Sequence, residues 1–162
     1  MKKRAVWILA ALVLLASGCG GQREEGGAEK PDVDLGSLYA GMEEACGWEE
    51  GYMTPVEGEL LEEYYPGLSE LPTKQLIVQV PAMSSDVNEV ALFQGETEED
   101  AEKAAAIFQA RIDSQVDGGA WYPETMESWK KAKVLQNGTY AALIASGEHQ
   151  ADLEEQFNLQ FK

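Results

Sequence analysis

The uncharged run from Ala5 to Gly18, with Lys2, Lys3 and Arg4 before it and Cys19 after it, decides which part of this chain has to fold. A cationic start, a short apolar stretch and small residues ahead of a cut mark an export signal. Val6, Trp7, Ile8, Leu9, Leu12, Val13, Leu14 and Leu15 supply the hydrophobicity, over a length short of the ~20 residues that span a bilayer. Residues 1–18 are therefore expected to act as a signal peptide and to take no part in the fold.

Leu15-Ala16-Ser17-Gly18-Cys19 resembles the lipobox of bacterial lipoproteins, in which the cysteine thiol takes a diacylglycerol and cleavage leaves that cysteine at the new N-terminus. The resemblance implies lipidation of Cys19 and a membrane contact made through the lipid. Two acyl chains anchor stably where one binds reversibly, each buried methylene contributing ~0.8 kcal/mol. Residues 20–33 are rich in Gly and charge and read with Cys19 as a flexible tether. Fourteen such residues have a root-mean-square span of roughly 20 Å and an extended reach of about 46 Å.

Three of the twelve basic residues lie in the leader, so the remaining chain sets 29 acidic side chains against nine basic ones. A charge this negative repels phosphate backbones and anionic headgroups, which argues against a nucleic acid partner and against electrostatic docking on a membrane. With Cys19 lipidated, Cys46 has no disulfide partner and reads as a buried structural thiol.

From residue 34 the pattern predicts one α+β domain over 34–162. Leu35, Leu38, Tyr39, Met42, Ala45 and Cys46 recur at helical spacing between an Asp34 cap and a Gly47 stop. Thr54-Pro55-Val56-Glu57 reads as a capping box opening a second helix that turns Leu60, Leu61 and Tyr64 inward. Gln75–Val80 and Glu89–Gln94 read as strands, and Thr97 with Asp100 opens a long helix to Val116. Tyr122-Pro123-Glu124 starts another helix, and Lys133–Gln136 and Thr139–Ala145 flank Asn137-Gly138 as a hairpin with a two-residue turn. Leu153, Phe157 and Phe161 close the chain as a helix. The expected architecture is a small antiparallel or mixed four-stranded sheet covered by helices.

No catalytic motif, phosphate loop or dinucleotide fingerprint occurs, so no catalytic residue, metal ligand or cofactor is assigned. His149, the only histidine, reads as a turn or capping residue. Asp32 and Asp34, and Glu98-Glu99-Asp100, fall short of a calcium loop. Trp121, Tyr122, Trp129, Lys130 and Lys131 set three rings beside the domain's basic cluster and form the candidate ligand or partner patch, although Trp129 packing on the sheet accounts for the same pattern. Convergence of Glu89, Glu124 or Glu127 in a concave pocket beside a ring would instead favour a carboxylate-pair hydrolase.

Several spaced features together resemble the DUF4358 family of small bacterial lipoproteins. They are Asp34-Leu35, Tyr64-Tyr65-Pro66-Gly67-Leu68, Asn88-Glu89-Val90-Ala91-Leu92-Phe93, Tyr122-Pro123-Glu124, Lys133-Val134 and Asn137-Gly138-Thr139-Tyr140. The resemblance implies an extracytoplasmic address on the cell membrane of a Gram-positive bacterium and brings no catalytic residues with it. The expected function is a non-catalytic binding or interaction module facing an envelope protein or cell-wall component. The alternatives are a cell-envelope hydrolase or a divalent-cation-dependent module.

Overall fold

A computed structural model describes residues 32–83, 85–120 and 122–162. The signal peptide, Cys19 and the tether through residue 31 lie outside the described residues, as does Trp121.

Helix α1 (Leu35–Cys46) is capped by Asp34, whose Oδ1 accepts from the Ser37 amide at 2.7 Å, and stops at Gly47 in the left-handed conformation. Strand β1 (Met53–Pro55) and helix α2 (Gly58–Tyr64) follow, then a 3₁₀ turn at Leu68–Glu70. Strands β2 (Thr73–Pro81) and β3 (Asn88–Gly95) precede the long helix α3 (Glu98–Ser114). A π-turn over Gln115–Gly119 leads to α4 (Pro123–Trp129), the β4 (Lys133–Asn137) and β5 (Tyr140–Ser146) hairpin, and α5 (Gln150–Leu159).

The sheet has five strands in the order β1-β2-β3-β5-β4, every pair antiparallel. The expected four-stranded sheet thus gains an edge strand. Thr54 and Pro55 pair with Val80 and Gln79 instead of opening a helix, and the Val56 amide donates to the Val78 carbonyl at 2.9 Å. Gly58, at φ +58°, then turns the chain into α2. No side chain caps that helix, and Leu60 faces solvent while Leu61 is buried. The β4–β5 turn also sits one residue later than expected: Asn137 pairs with Tyr140, and Gly138-Thr139 form the loop.

Alternation along the central strands divides the core in two. Ala91, Phe93, Ala141, Leu143 and Ala145 face α3, packing with Ala104, Phe108, Leu61, Tyr65 and Trp129. Val90, Leu92, Ala142 and Ile144 face the opposite layer of Leu35, Leu38, Met42, Leu153 and Phe157. With both faces covered, β3 and β5 are buried at every position.

Candidate functional site

Odd-numbered residues of β3 face α3, and this places Glu89 on the same apolar surface as Ala91 and Phe93. An isolated carboxylate there would be costly, and three donors meet it. Arg111 Nε donates to Oε1 and Arg111 Nη2 to Oε2, both at 2.9 Å, while the Tyr65 hydroxyl also donates to Oε1. The Glu89 and Arg111 side chains are 5% and 13% exposed.

Arg111 comes from α3, one turn past Phe108, which puts it at the end of the buried stripe. Its guanidinium carbon lies 4.1 Å from the Tyr64 ring centroid, 5.5 Å from that of Trp129 and 6.0 Å from that of Tyr65. Stacked rings on a bidentate ion pair suit the planar guanidinium and would not suit a lysine. Burial opposes the charge on Arg111, but hydrogen bonding to Glu89 and attraction to its carboxylate outweigh it and hold the group above its ordinary pKa. Burial also pushes the Tyr65 hydroxyl well above the usual phenol range, and the adjoining Glu89 carboxylate adds to this.

The ion pair forms part of the wall of a half-open cleft of about 690 Å³. Val80 and Pro81 at the end of β2, and Asp86 and Val87 in the loop that follows, line it. Gln115, Ala120, Tyr122, Thr125 and Trp129 line it as well. Asp86 accepts from the Tyr52 hydroxyl at 3.1 Å, and the Thr125 hydroxyl donates to the Tyr122 carbonyl at 2.8 Å.

The candidate patch is split by this geometry. Trp129 is 5% exposed and packs inside, whereas Tyr122 is 60% exposed at the cleft. Lys130 pairs with Glu127 at 2.6 Å and Lys133 with Glu154 at 2.8 Å, and Lys131 is exposed. Of Glu89, Glu124 and Glu127, only Glu89 reaches the cleft, in company with Asp86. Reasoning from sequence places Tyr64 and Tyr65 in the fold but gives no site role to them or to Arg111. The signal for Arg111 is its solitude: it is the only arginine after Arg23, and it stands at stripe spacing from Phe108.

His149 occupies the N-cap position of α5, with Nδ1 3.8 Å from Asp152, and its side chain makes no cap hydrogen bond. Cys46 is a half-buried free thiol whose pKa burial, with Asp152 nearby, pushes up to about 11, leaving little thiolate near neutrality. Among the described residues no three His, Cys, Asp or Glu side chains gather so as to hold a metal ion.

The molecule is thus a single α/β domain with an antiparallel sheet between two helical layers, carrying an aromatic-backed Arg–Glu cleft on one of its faces. Over residues 47–146 it matches the family described as "Domain of unknown function (DUF4358)", and the chain belongs to that family. No curated protein and no solved structure matches the chain. Three segments that carry the resemblance, at Tyr64-Tyr65, Glu89 and Tyr122, meet around Arg111.

Proposed function

We propose that this protein is a non-catalytic binding module, held outside the cytoplasmic membrane by a lipid on Cys19, with its ligand received in the Arg111 cleft. The observation that carries the reading is the state of Glu89. Three donors already aim at its two oxygens, so the carboxylate serves as a structural acceptor and is not poised to take or give a substrate proton. A glycosidase-type mechanism needs two carboxyl groups free to act on either side of the bond, and among the described residues the cleft offers only Asp86 besides. A cleft of this size, with rings and a few fixed polar groups, has the composition of a small-ligand site.

The anchor enters the reading from Leu15-Ala16-Ser17-Gly18-Cys19. A Cys19→Ser variant is expected to lose the lipid mass and leave the membrane fraction. If it sediments with membranes at the original mass, the anchor is wrong. For the cleft, a photo-crosslinker replacing Tyr122 in the lipidated chain on intact cells is expected to give an adduct. The same probe replacing Leu159, exposed in the opposite helical layer, should give none. Equal labelling from both positions, or none from either, would overturn the binding role.

A further inference from the structure

A guanidinium presents five N–H donors in a rigid plane. Glu89 takes the edge made by Nε and Nη2, with the Tyr65 hydroxyl beside the same guanidinium, and Nη1 makes no hydrogen bond among the described residues. The only buried side-chain N or O atom without a partner among the described residues is the Tyr39 hydroxyl. Arg111 lines the cleft, and its side chain keeps 13% of its surface exposed. Asp86 and Gln115 add acceptors to the same cavity, Gln115 adds donors, and the exposed Tyr122 ring adds an apolar surface.

Charge sorts the ligands this arrangement can hold. Among the described residues one cation and two carboxylates line the cleft, inside a chain of formal charge −17. An anionic ligand would meet net negative charge, because Glu89 already matches the one guanidinium. A cationic ligand would lie against Arg111 itself. A neutral ligand rich in hydroxyl and amide groups meets neither penalty. Each hydroxyl both donates and accepts, so such groups can satisfy Arg111 Nη1 and the Asp86 and Gln115 oxygens together. The C–H face of a sugar ring would cover Tyr122 and remove apolar area from water.

We propose, building on the reading of the cleft as a binding site, that it binds a neutral saccharide chain, with Arg111 and Gln115 bonding its hydroxyl or amide groups and Tyr122 covering a ring face. The test is calorimetric titration of the lipidated full chain in nanodiscs. The probes are two neutral tetrasaccharides, one of β-1,4-linked N-acetylglucosamine and one of β-1,4-linked glucose, with sodium benzoate and tetramethylammonium chloride as charged comparators. At least one tetrasaccharide is expected to bind with a dissociation constant below ~1 mM. Tyr122→Ala should weaken it about tenfold and Tyr122→Phe should not, since the ring and not the hydroxyl makes the surface. The side chain is exposed, so neither change threatens the fold. Saturable binding of benzoate or tetramethylammonium that depends on Tyr122, with neither sugar binding, overturns the saccharide assignment and leaves the binding site standing. Sugar binding unchanged in Tyr122→Ala also overturns the assignment, and no binding of any probe overturns both.

Discussion

Glu89 is an acidic residue in the middle of a buried strand, and its position makes sense only through its partners. Removing either member of a buried ion pair leaves the other charge uncompensated, which costs about 3–5 kcal/mol. Tyr65 is the third member, and its burial gives the molecule an alkaline limit. The folded-state pKa of Tyr65 is raised, so the stability this group contributes is complete below the unfolded value of about 10 and is lost as pH climbs beyond it. Tyr39, Tyr52 and Tyr140 are shifted in the same direction. Unfolding free energy from urea titrations should therefore fall steeply above about pH 10. Tyr65→Phe should make that fall shallower by ~1.4 kcal/mol per pH unit, the share of one proton. An unchanged slope would show that Tyr65 is not a buried neutral donor. At this scale the cleft was only partly legible in the sequence. Glu89 is legible as the start of a strand and as one of three carboxylates, with Glu124 and Glu127, whose convergence beside a ring would mark a site. Its pairing with Arg111, 22 residues on, depends on how α3 crosses the sheet, which no local pattern encodes.

Helix α3 is the element most completely written in the sequence. Its alanine stripe faces the sheet, and its start is fixed by a reciprocal box. The Asp100 amide donates to Thr97 Oγ1 at 3.2 Å, and the Thr97 amide donates to Asp100 Oδ2 at 3.0 Å. Asp therefore does the work usually given to Glu at this position. Thr97→Ala should destabilise the protein by about 1 kcal/mol, measured by thermal or chemical unfolding. A change indistinguishable from zero would mean that the sheet packing alone sets the start of α3. Strand β1 shows the opposite case. Thr-Pro-Val-Glu satisfies the local rules for a helix start, and three residues are too few to display a period of two. What decides is the open edge of β2, whose unpaired backbone groups are better satisfied by Met53–Pro55. Proline is tolerated because it sits in an edge strand, where one side makes no ladder bonds. The β4–β5 hairpin was legible as a hairpin, and only its register escaped, since Asn137 ends the ladder instead of entering the turn.

At the scale of the molecule, the family-matched segment and the folding unit are different things. Residues 47–146 contain the whole sheet and the layer of α2, α3 and α4 that builds the cleft. The opposite face is covered by α1 and α5, which lie on either side of that segment. Leu35, Leu38, Met42, Leu153 and Phe157 are almost fully buried there. At roughly 1.5–3 kcal/mol for each large apolar side chain, their removal forfeits on the order of 10 kcal/mol, as much as a domain's whole stability. It also uncovers Val90, Leu92, Ala142 and Ile144 as a continuous apolar patch on the central strands. The chain ahead of α1 is tied to the same layer: the Val33 backbone amide donates to the Tyr140 hydroxyl at 2.9 Å, and the Gln75 side-chain Nε2 donates to the Val33 carbonyl at 3.0 Å. A fragment of residues 47–146 should therefore fail to fold, appearing as aggregate or as a species without dispersed amide resonances. A fragment of residues 32–162 should unfold in one cooperative transition. If the shorter fragment proves monomeric and cooperative, the α1–α5 layer is an accessory and the cleft-bearing half is the domain. The predicted failure of 47–146 would instead mean that the cleft depends, through the shared sheet, on helices that never touch it.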